Sequence, residues 1–180
     1  MKFQSAPIEA VMLISLDEKR DQRGFFARTY CRDAFREAGI EFRVAQQNIS
    51  HTRKAGTVRG LHYQTAPSKE AKLIRCVAGA IRDVLVDMRE GSPSYRSTYG
   101  VVLSAANRMS IYVPPMVAHG FQTLTDDVIV TYSVSCAHDP EAERGVRHDD
   151  PALGIDWPLP ATEISDKDSS WPLLGAPPSG

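Results

Sequence analysis

Ala71-Lys72-Leu73-Ile74-Arg75-Cys76-Val77, then the turn pair Ala78-Gly79, then Ala80-Ile81-Arg82-Asp83-Val84-Leu85-Val86-Asp87-Met88, is the stretch that decides the fold. Both runs are short, rich in Val, Ile and Leu, and divided by a glycine. That pattern predicts two consecutive β-strands and not a helix. Downstream the texture recurs at residues 99–103, 109–113 and 127–135. Turn residues lie between the runs: Ser92-Pro93-Ser94, Ala106-Asn107, Pro114-Pro115 and Thr125-Asp126. Strands spaced roughly ten residues apart predict an all-β sandwich, jelly roll or barrel. Upstream, residues 8–16 read as a strand, 17–24 as a charged loop and 25–30 as a short strand. Residues 32–38 read as a short helix closed by Gly39. If side chains alternate along the second run, Asp83, Leu85 and Asp87 share one face, and Asp83 points toward a cavity. From His138 onward the chain turns polar and proline-rich. It is expected to form loops and short helices anchored by Trp157 and Trp171 on a single domain spanning 1–180. Ser165-Asp166-Lys167-Asp168 carries a helix-start signal.

The balance of 21 basic and 22 acidic residues gives a net charge of -1, which is no general footprint for nucleic acid or a membrane surface. An anionic ligand must therefore meet a local cluster of positive charge. Cys31, Cys76 and Cys136 are odd in number and widely spaced. They form neither a disulfide framework nor a zinc pattern, and they point to unpaired thiols in a reducing compartment. The N-terminal residues hold no apolar signal core, and no apolar run approaches the ~20 residues of a membrane span. The cytoplasm is the expected location.

Chemistry concentrates in Arg59-Gly60-Leu61-His62-Tyr63-Gln64. A histidine near its ordinary pKa of ~6.5 serves as a base at neutral pH, best when a carboxylate orients its other nitrogen. Cations crowding it, Arg59 and Lys72, argue for a visiting anion; alone, His62 would equally read as a buried structural histidine. His119 follows a Pro-Pro turn and reads as a strand end at a barrel mouth, or as a turn cap. Tyr132 lies on the face opposite Thr131, as core or as a proton donor. Lys72 opens an otherwise apolar strand, where lysine is rarely buried without a partner. Gln46, Gln47 and Asn48 are consecutive amides. Arg23-Gly24-Phe25-Phe26 offers a guanidinium and an aromatic for a phosphate and a base, or a plain strand start.

In this order the pieces resemble the dTDP-4-dehydrorhamnose 3,5-epimerase (RmlC) family. They are Arg23-Gly24-Phe25-Phe26, Gln47-Asn48-Ile49-Ser50, Arg59 to Gln64, Lys72-Leu73-Ile74-Arg75-Cys76, Gly79 to Asp87, Val113 to Phe121, Asp150 to Pro158 and Ser165 to Asp168. The resemblance implies a cupin-type jelly roll, a homodimer, no metal and no cofactor. It implies a nucleotide-diphospho-4-keto-6-deoxyhexose as substrate, inverted at C3, C5 or both through an enolate. By motif, His62 is the base, Asp168 its orienting carboxylate, Tyr132 the acid, and Lys72 the support for charge on the C4 oxygen. Arg59 and, from a partner subunit, Arg23 would hold the diphosphate. Gln47, Asn48 and Phe26 are nucleotide candidates, and His119 and Asp83 line the sugar pocket. Two departures fall on the binding side: Arg28 stands where many members are acidic, and Ala137-His138 where many carry a tyrosine pair. Arg28 and His138 are thus candidate substrate contacts that would alter specificity. A narrower reading is a C3- or C5-only epimerase on a CDP- or GDP-linked sugar. A metal-dependent cupin enzyme would use His62 and His119, but Gln64 breaks the His-x-His pair such sites often need. A non-catalytic sugar-nucleotide binding module would be expected to lack part of the acid-base set.

Overall fold

In the computed structural model, which describes residues 1–175, fifteen elements follow one another. They are β1 (Lys2–Ser5), β2 (Met12–Ser15), β3 (Lys19–Asp21), β4 (Gly24–Phe26), α1 (Arg32–Glu37), β5 (Gln46–Thr52), β6 (Val58–Gln64), β7 (Lys72–Ala78), β8 (Ala80–Asp87), β9 (Thr98–Ser104), β10 (Ser110–Val113), β11 (Val117–Thr123), β12 (Val128–Val134), β13 (Glu143–Gly145) and α2 (Asp166–Ser169). Two antiparallel sheets form a jelly-roll sandwich. One has the order β1-β2-β10-β7-β12-β5, the other β13-β6-β11-β8-β9, and β3 and β4 make a separate hairpin.

The stretch that opens the sequence argument creates the two layers. β7 and β8 are separated by Gly79 alone, yet they belong to different sheets. Gly79 has φ +71, and a Cβ there would stand 2.5 Å from Thr125 Oγ1 and 2.8 Å from a Val128 methyl. Only glycine makes this crossing without strain.

Between the layers lie Leu13, Ile74, Ile111, Val113 and Val130 from the first sheet, and Ile81, Leu85, Leu103, Val117 and Phe121 from the second. Each fully buried aliphatic chain contributes roughly 1.5–3 kcal/mol of transfer free energy. The outer face of the second sheet is apolar as well. Leu61, Val84, Val86 and Ala118 are covered there by Val146, Leu153, Ile155 and Trp157 from the C-terminal segment. The Trp157 indole N–H donates to the His148 carbonyl at 2.8 Å. Helix α1 buries Phe35 among Phe3, Tyr30 and Phe42, and ends as expected at Gly39, φ +79.

Several boundaries differ from expectation. The 8–16 strand shortens to β2, because residues 8–10 form a turn. The strand at 25–30 shortens to β4, one arm of an exposed hairpin. β1, β5, β6 and β13 lie outside the expected strands, β3 forms within the expected 17–24 loop, and β11 runs on past His119, which was expected at a strand end. The composition of β5 is polar because its inward positions, Gln46, Asn48 and Ser50, face a cavity and not the core.

Candidate active site

A cavity of about 790 Å³ is lined by residues of both sheets. β6 and β11 supply His62, Arg59 and His119 from one layer; β5, β7 and β12 supply Asn48, Lys72 and Tyr132 from the other. The C-terminal segment adds Ser165, Lys167 and Asp168.

His62 and His119 are cross-strand partners. The strands that carry them touch through Gly60 and Gly120: a Cβ on Gly60 would lie 2.6 Å from Gly120 Cα and 2.7 Å from the His119 carbonyl. Gly60 also has φ +101, a conformation that side chains resist. Its N–H donates to Asp168 Oδ2 at 3.0 Å. His62 Nε2 lies 2.7 Å from Asp168 Oδ1. Asp168 reaches this position from α2, where the Ser165 hydroxyl caps the helix by accepting from the Asp168 N–H at 3.1 Å. The helix-start signal and the functional carboxylate are thus one device. Burial alone would raise the Asp168 carboxyl. The hydrogen bonds from His62 and Gly60, the His62 charge and Ser165 overcome that and hold it below the ordinary carboxylate range. An ionised Asp168 accepts only, so the proton sits on His62 Nε2 and the lone pair on Nδ1. The Trp171 ring packs edge-on to the imidazole, 6.3 Å between centroids.

His119 repeats the arrangement more deeply. Its Nε2 meets Asp83 Oδ2 at 2.7 Å, and Asp83 is fully buried. Asp83 faces inward as alternation predicted, but it does not line the cavity. It stands behind His119 and fixes the ring, because the larger imidazole occupies the space in front of it.

Lys72 is largely buried. Its Nζ donates to the His62 carbonyl at 3.2 Å and lies 3.1 Å from Glu70 Oε2. Tyr132, whose Cα partners are Asn48 and Ile74, faces the cavity from the opposite sheet to His62. A base and a phenol therefore approach the same volume from two walls.

Charge in the cavity is mostly internally paired. Besides Glu70–Lys72, Lys167 Nζ is 2.7 Å from both Glu143 carboxylate oxygens. Burial alone would raise the Glu143 carboxyl; the Lys167 hydrogen bond and the charges of Lys167, His62 and His138 bring it below its usual value. Arg59 differs. It donates only to neutral groups, Thr52 Oγ1 at 2.9 Å and the His51 carbonyl at 3.3 Å, and has no carboxylate partner among the described residues. It is a cavity guanidinium whose charge is not neutralised by a described carboxylate. His138 lines the rim, its Nε2 3.8 Å from Glu143 Oε2, too far for a hydrogen bond.

The remaining candidates lie elsewhere. On β5, Gln46, Asn48 and Ser50 face the cavity, while Gln47 points to the outer face, where it donates to Ser133 Oγ at 3.1 Å. Of the two neighbours, Gln46 and not the candidate Gln47 faces this cavity, since a strand shows one face at every second residue. Arg23 pairs with Asp21 on the β3–β4 hairpin, and Arg23, Phe26 and Arg28 are all exposed and do not line this chain's cavity. Glu70, Glu143 and Lys167 were not singled out from sequence. Lys167 lay within a quoted motif, but nothing in the spacing of the two glutamates marked them. Among the described residues no group of three His, Cys, Asp or Glu side chains converges as a metal-binding set.

Comparison with known proteins adds an independent line. The family model for dTDP-4-dehydrorhamnose 3,5-epimerase matches residues 5–176. The dTDP-4-dehydrorhamnose 3,5-epimerase of Sinorhizobium fredii is 42% identical over 175 residues, covering 97% of this chain and 90% of that protein. A dTDP-4-dehydrorhamnose 3-epimerase of Streptomyces niveus is 38% identical over 175 residues, covering 97% and 84%. The crystal structure of the Bacillus anthracis 3,5-epimerase with TDP and PPi bound superposes with a TM-score of 0.93 at 38% identity, covering 96% of this chain and 99% of that one.

Proposed function

The chain belongs to the dTDP-4-dehydrorhamnose 3,5-epimerase family, and from that membership and the layout of its cavity we propose that it epimerises dTDP-4-dehydro-6-deoxyglucose at C3 and C5 to give dTDP-4-dehydrorhamnose. One observation carries the reading. A carboxylate-oriented imidazole, His62, and a phenol, Tyr132, enter one cavity from opposite sheets, with an ammonium, Lys72, held in the same space. Inversion needs that layout: a proton leaves one face of the carbon and another arrives on the opposite face.

The substrate's C4 ketone makes the hydrogens on C3 and C5 acidic, so the chemistry needs a base, an acid and a donor for the enolate oxygen, and no cofactor. His62 Nδ1 takes the proton. Asp168 steadies the imidazolium that forms, as the carboxylate does in hydrolase triads. Lys72 donates to the C4 oxygen as charge gathers there, a preorganised donor aimed at the transition state. Tyr132 returns a proton on the other face. His119, fixed by Asp83, lines the sugar end. Arg59 supplies the unpaired charge that the diphosphate requires, and Asn48 and Gln46 supply amides for the nucleotide.

The same reading extends to a second copy of the chain. Phe25 and Phe26 on the hairpin and Ile49 and Val77 on the outer sheet face are exposed apolar side chains, which favours a homodimer in which Arg23 and Phe26 reach the other subunit's cavity. All three cysteines are free, which suits the cytoplasm.

The test is incubation of the protein with dTDP-4-keto-6-deoxyglucose in D2O, followed by proton NMR at C3 and C5. Deuterium at both carbons, abolished in His62→Ala, is expected. Deuterium at one carbon would make it a single-site epimerase, as the Streptomyces niveus relative is named. Substantial exchange remaining in folded His62→Ala would refute the assignment of the base.

A further inference from the structure

Glu70 is a cavity residue to which the reaction above gives no task. Its side chain is 8% exposed, and Lys72 is its cationic partner, 3.1 Å away. A carboxylate so nearly buried is costly unless paired. Lys72 Nζ has three N–H donors. One donates to the His62 carbonyl at 3.2 Å, and the ammonium as a whole rests in ion-pair contact with Glu70 Oε2. The donors that the His62 carbonyl does not take are left for the carboxylate and the cavity.

The segment that carries Glu70 is itself held fast. The Ala71 N–H donates to Ser135 Oγ at 2.8 Å, and the Ser135 N–H donates back to the Ala71 carbonyl at 3.0 Å. The Ser135 hydroxyl also donates to the Lys69 carbonyl at 3.2 Å. At the other end, the Thr65 N–H and hydroxyl both donate to the Ala142 carbonyl. Glu70 thus sits on a fixed base, while a lysine left alone would have four rotatable bonds and a strongly hydrated head group.

We propose that Glu70 is a positioning residue for Lys72. Together with the His62 carbonyl it holds the ammonium in place so that a free N–H meets the substrate's C4 oxygen, and it acts on the reaction only through that lysine. The proposal rests on the reading of Lys72 given above. It also ties the electrophile to the base, since the His62 backbone supplies the second anchor: the two groups that act on either side of one C–H bond share a mount.

A double-mutant cycle on kcat tests it. Lys72→Met comes first: a near wild-type kcat would overturn the role of Lys72 and the proposal with it. Given a large loss there, Glu70→Ala should lower kcat roughly 10- to 100-fold, the scale of a misplaced catalytic group, with KM changed by less than about threefold. Glu70→Gln should recover part of that loss, because its amide oxygen keeps a dipole against the ammonium at the same place. Glu70→Ala combined with Lys72→Met should be no slower than Lys72→Met alone. Multiplicative losses in the double variant would overturn the proposal, and so would a raised KM with unchanged kcat or a Glu70→Gln variant as slow as Glu70→Ala.

Discussion

Replacing Asp168 with asparagine removes one negative charge and almost no volume, which makes it the sharpest probe of the His62 assignment. The carboxylate touches His62 Nε2 at 2.7 Å and the Gly60 N–H at 3.0 Å, and it is almost fully buried. When His62 takes a proton, the imidazolium and carboxylate charges lie roughly 4 Å apart. At an effective dielectric of ~20 that pair attracts by about 4 kcal/mol. At 1.36 kcal/mol per decade, losing it costs about 10³ in rate. A second effect overlaps with this one and is not independent of it. An amide that turns its NH2 toward Nε2 places the ring proton on Nδ1 and removes the lone pair needed for proton abstraction, a tautomer fault worth about 10⁴ in a serine-protease triad. The expected loss in kcat is thus roughly 10³- to 10⁴-fold, with KM nearly unchanged. The assay is the initial rate of deuterium incorporation at C3 and C5, with a thermal melt to verify folding. A folded Asp168→Asn protein that keeps more than about a tenth of the exchange rate would refute the reasoning. A loss confined to KM would show that Asp168 binds substrate and does not support the base.

Tyr132→Phe should impair net epimerisation more than solvent exchange, because proton removal does not need the phenol; equal loss in both, measured on one NMR time course, would count against a pure acid role. Asp87 gives a stability prediction. Burial alone would raise its carboxyl, but hydrogen bonds from Arg89, Ser92 and Ser94 lower it from 3.8 to about 2. Its contribution of about 2 kcal/mol is therefore complete above pH 3.8 and lost as the pH falls through about 2. Urea melts between pH 5 and 2 should show that acid-side loss, and Asp87→Asn should flatten it while lowering stability at neutral pH. Gly60→Ala adds a Cβ 2.6 Å from Gly120 Cα at φ +101. It should destabilise the protein by about 2–4 kcal/mol and slow exchange, since the same peptide anchors Asp168; an unchanged melting temperature would refute the close approach.

The strands that build the core were legible from sequence, because packing between two sheets demands the short aliphatic runs seen at 72–78, 80–87 and 128–134. The strands that build the site were not. Along β5 the inward positions are Gln46, Asn48 and Ser50, so the alternation that marks a half-buried strand is absent. Without a strand to count along, the parity of Gln46 and Gln47 could not be fixed. Function erased the signal that would have located it. Asp83 was read correctly as inward and incorrectly as cavity-lining, since periodicity gives the side of a sheet but not what stands in front. His62, Lys72, Tyr132 and Asp168 were brought together on motif resemblance; physical spacing along the chain predicts no contact between residues 62 and 168. The hairpin residues Arg23, Phe26 and Arg28 are exposed and lie away from this chain's cavity, so nothing in their spacing ties them to it.

The route by which Asp168 reaches His62 also orders events in time. His62 lies in the first half of the chain and its carboxylate near the far end, on a four-residue helix that follows a long irregular segment. The two-layer scaffold contains every other acid, base and cation assigned to the reaction, but the imidazole is correctly primed only when that distal segment docks, with Trp171 against the ring. Catalytic competence therefore reports on the docking of that segment: a nick ahead of Ser165 that let it detach would leave His62 without its carboxylate and without the Trp171 ring, while the contacts between the two sheets stayed as they are.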